Sequence, residues 1–173
     1  MSGQKIIKME ELRDVFQNLH YEGVATYVQS GNVVFRSAES KPEVLRKNIE
    51  RALLRTLGFE VPVVVRGLNE IEGIVKRSPF KNIPLKENER VYVTFLDRKP
   101  SNSAVEELES VKDPSDIIRC LKNETYLLCR TGYAKTRFSN AFIERKLGAI
   151  ATTRNWETVN KLIELGRQQP GSN

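Results

Sequence analysis

The second half of the chain carries a strict order of short apolar segments, and that order constrains the fold more than any other feature. Arg90 to Leu96 reads as a strand, and residues 102–110 as a short helix. Asp116 to Leu121 and Thr125 to Arg130 are two further strands around a turn at Asn123-Glu124. Residues 139–147 form a helix and Ala149 to Thr152 a last short strand. Strand, helix, strand, strand, helix, strand is the order of a ferredoxin-like sheet. Trp156, Val159, Leu162 and Ile163 then recur at helical spacing, and Gln168 to Asn173 is expected to be a frayed polar tail.

The first half follows the same plan with one piece fewer. Met9, Leu12, Phe16 and Leu19 give residues 8–20 an amphipathic helical stripe. Val24 to Val28 and Val33 to Arg36 read as two strands around Gln29-Ser30-Gly31-Asn32, with Gly31 free to take a positive φ. Pro42 suits the first turn of the next helix, whose buried stripe is Leu45, Ile49, Ala52 and Leu53, and Gly58 ends it. Glu60 to Arg66 (EVPVVVR) reads as a strand, with Pro62 at an edge or a bulge. Residues 68–76 read as a connecting helix, and Ser78 to Asn88 as a polar linker with two prolines.

The expected fold class is therefore α+β, with two ferredoxin-like subdomains in tandem, residues 1–88 and 89–173, packed as one unit. The first subdomain is missing its opening strand. In a ferredoxin-like sheet the spatial order is 4-1-3-2, so the absent strand is central. Its loss leaves two neighbours with unpaired backbone groups, each costing about 1–3 kcal/mol where buried. Either another element fills the gap, or native residues precede Met1, or the exposed edge drives dimerisation by strand exchange.

Three segments carry a likeness to a known family. They are Lys5-Ile6-Ile7-Lys8-Met9-Glu10-Glu11-Leu12-Arg13, then Thr26-Tyr27-Val28-Gln29-Ser30-Gly31-Asn32-Val33-Val34-Phe35, and Ala151-Thr152-Thr153-Arg154-Asn155-Trp156-Glu157-Thr158-Val159. In this order they resemble the bacterial domain of unknown function 1697. Members of that family begin with a hydrophobic strand and a glycine-rich turn, of which only the end, near Ser2-Gly3, is present here. The resemblance implies a bacterial protein and brings no activity with it.

Composition narrows the partners. Among 173 residues there are 28 Lys and Arg against 22 Asp and Glu, a net charge of +6, which favours phosphate-bearing partners. No apolar run nears the roughly 20 residues that cross a bilayer, and the N-terminus has no signal-peptide core, so a cytoplasmic protein with no membrane partner is expected. The two cysteines, Cys120 and Cys129, lack metal or redox spacing, and strand parity places both on an apolar face with Ile118 and Leu127. His20 is the one histidine and reads as a residue near a helix end; no metal site and no cofactor is expected.

The densest chemistry lies between Arg130 and Arg154. Six basic residues (Arg130, Lys135, Arg137, Arg145, Lys146 and Arg154) stand there with one acid, Glu144. Two helix N-termini fall in the same stretch, near Ser139-Asn140 and Thr153-Asn155, and helix N-termini attract anions. The expected anion or nucleotide site is Lys135, Arg137, Ser139, Asn140, Thr152, Thr153, Arg154, Asn155 and Trp156. The same side chains also serve as ordinary helix caps, each worth about 1 kcal/mol without any ligand.

Sheet parity offers a second reading. Arg119, Tyr126 and Arg130 share one face of the second hairpin, and Tyr27, Gln29 and Arg36 one face of the first. Basic and aromatic residues mixed on a sheet are what single-stranded nucleic acid uses, by stacking and phosphate pairing. A third reading is an enzyme with its site between the subdomains. No nucleophile elbow, Walker loop or GxGxxG is present, no histidine can activate Ser30, and the carboxylate pairs lie on solvated helix faces, so no catalytic residue is named.

Overall fold

The computed structural model describes residues 7–28 and 30–170. In chain order these form α1 (Met9–Asn18), β1 (Glu22–Tyr27), β2 (Asn32–Arg36), α2 (Pro42–Leu57), α3 (Leu68–Lys76), β3 (Arg90–Leu96), α4 (Asn102–Ser110), β4 (Ile117–Leu121), β5 (Glu124–Cys129), α5 (Asn140–Leu147), β6 (Ala151–Asn155) and α6 (Trp156–Arg167). They gather into two compact units, Met1–Leu68 with Lys161–Asn173, and Asn69–Asn160. Gln29 and the Ser2-Gly3 remnant lie outside the described residues.

The second unit holds a four-stranded sheet in the order β4-β5-β3-β6. That is the 4-1-3-2 ferredoxin-like arrangement, with β3 as the central first strand. All three pairings are antiparallel, and β3 bonds along both its edges, to β5 from Arg90 to Phe95 and to β6 from Tyr92 to Leu96. The hairpin between β4 and β5 sets Leu121 opposite Glu124, so its turn is Lys122-Asn123, one residue earlier than the sequence pattern places it. Lys122 takes a φ of 56°, as a two-residue hairpin turn demands.

Period-two alternation sends each strand's residues to two faces. Leu96, Ile118, Leu127, Cys129 and Ala151 meet Leu108 of α4 and Ile143 and Leu147 of α5 in one core cluster, and Cys120 packs against it. Both thiols are free, and both are packed among apolar side chains as parity requires. Ser101 and Ser139 cap α4 and α5 by accepting the N–H of Ala104 and Phe142. Gly148, with φ 61°, closes α5 in the left-handed conformation that a side chain resists.

The opposite face of this sheet is also covered. Val91, Val93, Phe95, Tyr126 and Leu128 are all buried, and the Tyr126 hydroxyl donates to the Ile74 carbonyl of α3 at 2.8 Å. Burial pushes the phenol up to about 12, so it stays protonated and remains a donor.

In the first unit, Leu12, Val15 and Phe16 of α1 and Leu45, Ile49 and Leu53 of α2 form the buried centre. Val24, Val33, Phe35, Val61, Val63 and Val65 pack against it, and Phe35 stacks on Tyr21 at 4.6 Å. β1 and β2 pair antiparallel, with a bulge between Glu22 and Ala25 where Gly23 takes a φ of 60°. Two expectations change here. Glu60 to Arg66 runs extended with its valines on the core but joins no ladder; among the described residues this sheet has two strands. The reason is topological: in the 4-1-3-2 order that strand's one neighbour is the central first strand, and no described residue stands there. Pro62 has no donor to offer, and the Val63 N–H donates instead to the Glu50 carboxylate at 3.0 Å. The C-terminal tail is not frayed as far as it is described, because the Gln169 amide donates to the Gly23 carbonyl and Arg36 donates to the Pro170 carbonyl.

Replacing Tyr126 by Phe leaves the Ile74 carbonyl buried without the phenol. The expected loss is about 1–3 kcal/mol of unfolding free energy, read as a lower urea midpoint at unchanged slope. A midpoint equal to the parent's would show that the bond contributes nothing net.

Candidate functional site

Because β5 and β6 both run antiparallel to β3, they run parallel to each other and finish at the same end of the sheet. Cys129 lies opposite Arg90, and Asn155 opposite Tyr92. The basic loop 130–138 and the Asn155-Trp156 junction therefore leave the sheet together, at the amino end of β3. This brings Lys135, Arg137, Asn155 and Trp156 to one edge of the second unit.

Alternation along β6 divides the rest of the expected site. Thr153 and Asn155 share the helix-covered face with Tyr92 and Thr94, whereas Thr152 and Arg154 share the other face with Val93 and Phe95. The polar groups on the helix side serve the fold. Ser139 caps α5, Asn140 donates to the Ala151 carbonyl and accepts from the Thr153 hydroxyl, and the Asn155 side chain accepts the Thr158 N–H at the start of α6. Arg154 donates to the Thr152 hydroxyl and the Thr153 carbonyl. Burial lowers its guanidinium below the ordinary arginine value, and the Tyr133 phenol opposes that shift. Arginine stays charged through such shifts.

The loop itself is held by polar contacts that periodicity does not announce. The Arg137 guanidinium donates to the Lys112 carbonyl at 2.7 Å, which joins the basic loop to the segment between α4 and β4. The Lys135 N–H closes a turn on the Gly132 carbonyl, and the Lys135 side chain is exposed. Tyr133 packs on Tyr92 with ring centroids 4.7 Å apart, both rings half-buried. An open depression of about 610 Å³ lies alongside, lined by Glu109, Lys112, Asp113, Asp116, Ile118 and Arg119 among others.

The acids here face inward. Asp116 is buried and accepts the Arg130 N–H at 2.8 Å and the Thr131 hydroxyl at 3.0 Å. Burial alone would raise its carboxyl; the bonds from Thr136, Arg130 and Thr131 outweigh it and hold the group below the usual carboxylate value. Asp113 accepts the N–H groups of Ser115 and Asp116, and these bonds lower it too. Glu89 accepts the Lys86 N–H and the Arg130 guanidinium, the first of these being the largest cause of its lowered value. The sequence signals Asp113 through Asp113-Pro114-Ser115, a turn with an Asx cap. Nothing local signals the pairing of Glu89 with Arg130 across 41 positions.

The residues of the proposed stacking faces are dispersed. Tyr126 is wholly buried, so its ring is closed to solvent. Arg130 is committed to Glu89 and the Ser115 carbonyl, and Arg119 donates to the Ile118 carbonyl. Tyr27 is half-buried on the first hairpin, and Arg36 pairs with Glu22. Among the described residues no group of three His, Cys, Asp or Glu side chains is set to hold a metal ion, and no helix is long and apolar enough to cross a membrane.

The fold and this polar edge define an α+β protein of tandem ferredoxin-like subdomains. Residues 1–126 match the family described as a protein of unknown function, DUF1697, and the chain belongs to that family. No curated protein matches it. Among solved structures it is similar to a conserved bacterial protein, SP0830 from Streptococcus pneumoniae, with a TM-score of 0.71 and 19% identity over 95% of this chain and 92% of that one. At that identity the likeness concerns the fold.

The depressed Asp116 carboxyl links the loop to pH. A folded value below the unfolded one of 3.8 gives stability that is present above about pH 4 and is lost as pH falls through the folded value. Asp116→Asn is expected to cost about 1–3 kcal/mol at neutral pH and to flatten the acid limb of a stability-against-pH curve measured between pH 2 and 7. An acid limb unchanged by the substitution would contradict this account.

Proposed function

We propose that the second unit binds a phosphate-bearing small molecule at the edge where the 130–138 loop meets the 111–116 segment. Lys135 and Lys112 supply exposed charge, and Arg137 sets their spacing. The observation that carries the reading is the bond from Arg137 to the Lys112 carbonyl. It gathers three cations while Asp113 and Asp116 turn their oxygens onto backbone N–H groups. Carboxylates held that way compete less with an incoming anion for the neighbouring cations than carboxylates facing the same solvent. The depression beside them gives a ligand's uncharged part a place to rest against Ile117 and Ile118. Two free cysteines with no disulfide between them suit a reducing, cytoplasmic setting for this role.

Trp156, half-buried where β6 gives way to α6 at the same end of the sheet, is the chain's one tryptophan and offers a signal without a label. Its fluorescence is to be titrated with orthophosphate, mononucleotides and a short single-stranded RNA at two salt concentrations. A saturable change with the small phosphates, weakened tenfold or more in Lys135→Glu, is the expected result. Lys135 is exposed, so that variant should keep its stability within about 0.5 kcal/mol. A response to RNA alone, falling about 0.7 log units per log salt for each phosphate contacted, would instead favour nucleic acid. Silence with all three would remove the proposal.

A further inference from the structure

On the helix-covered face of the second unit, four polar side chains stand in one row across all four strands. Cys120 of β4 lies opposite Thr125 of β5, Thr125 opposite Thr94 of β3, and Thr94 opposite Thr153 of β6. The row runs beneath α4 and α5. Thr125 is 0% exposed and Thr94 1%.

The direction of hydrogen bonding along the row can be worked out by counting protons. Thr153 donates its one hydroxyl proton to the Asn140 side-chain oxygen at 3.0 Å. The 2.9 Å contact between the Thr94 and Thr153 hydroxyls must then have Thr94 as donor. Thr94 is left with acceptor capacity on the side of β5. There stands the Thr125 hydroxyl, buried and without a hydrogen-bond partner among the described residues. A donor and an acceptor thus face each other across one strand spacing, both out of reach of bulk water. Leaving such a group unmet costs about 1–3 kcal/mol, and buried hydroxyls in folded proteins are seldom left so.

We infer that an ordered water molecule is bound within the sheet face between Thr125 and Thr94, accepting from Thr125 and donating to Thr94. Directly opposed side chains stand about 4.5–5.5 Å apart at Cβ, and one water with two bonds of about 2.8 Å spans that interval. Two bonds to buried hydroxyls lie within the range of about two to four that buried waters make. The bound water carries the row unbroken from Thr125 on β5 to Asn140 on α5. It fixes the Thr94 rotamer, which in turn holds Thr153 and the helix.

Two measurements decide the inference. In the intact protein, water-selective Overhauser spectra should show a long-lived water at the Thr125 and Thr94 amide and methyl protons, and that signal should vanish in Thr125→Val. Its absence from the intact protein would overturn the inference. Thr125→Val is close to isosteric, so the sign of its effect is informative. With the water bound, the substitution removes a bridge and lowers the urea midpoint, and it couples less than additively with Thr94→Val. With no water, it removes a lone buried hydroxyl and the midpoint stays or rises, which would equally overturn the inference.

Discussion

The ladder along both edges of β3 is the constraint on which the second unit depends. β3 supplies the bonds that β5 and β6 need on their inner sides, and it places Val93 in the middle of one layer and Thr94 in the middle of the other. With β3 in place, β5 and β6 must run parallel and end together, and the loops that follow them must emerge side by side. The candidate site is thus a consequence of strand direction before it is a matter of charge. Among its described residues the first unit shows the same plan with no strand at that centre. β1 and β2 still pair, α1 and α2 still bury their stripes, and the valines of residues 60–66 still find the core, but the backbone of that segment must find its partners elsewhere. Side-chain burial and ladder formation are separable, and here the first persists without the second.

This separation explains what the sequence could and could not tell. Apolar period reports burial, so α2, α3, α4 and the β3 segment are legible from their stripes, and the cysteines from parity. EVPVVVR carries all the apolar signal of a strand, and Val61, Val63 and Val65 do face the core as that signal says. What the signal cannot report is whether a neighbour exists to accept the backbone bonds. The Lys122-Asn123 turn slipped by one for a related reason: Glu124 looks like a turn residue by polarity, yet it is buried opposite Leu121.

The candidate site was legible in part. Lys135, Arg137, Asn155 and Trp156 do reach one edge, because chain proximity and strand direction agree there. Thr152 and Arg154 do not share a face with Thr153, because a strand divides its neighbours even when all of them are polar. The residues that position the loop were not legible. Asp116, Glu89 and the Lys112 carbonyl each accept from a partner 14 to 41 positions away. Such contacts leave no periodic trace.

Polar groups in this unit thus divide by where their bonds end. Those at the edge end on loop backbone, Asp113 within its own loop and Asp116 on the Arg130 N–H of the next, and leave Lys112 and Lys135 facing solvent. Thr94 and Thr153 end on each other and on Asn140, beneath two helices. The edge can exchange partners with a ligand at small cost, since water already competes there. The row cannot, because every bond broken inside it leaves a group with no solvent to turn to. The row fixes β6 and α5 against each other, and with them the position from which Asn155 departs. The rigidity of the sheet centre and the adaptability of its edge are two outcomes of one pairing pattern.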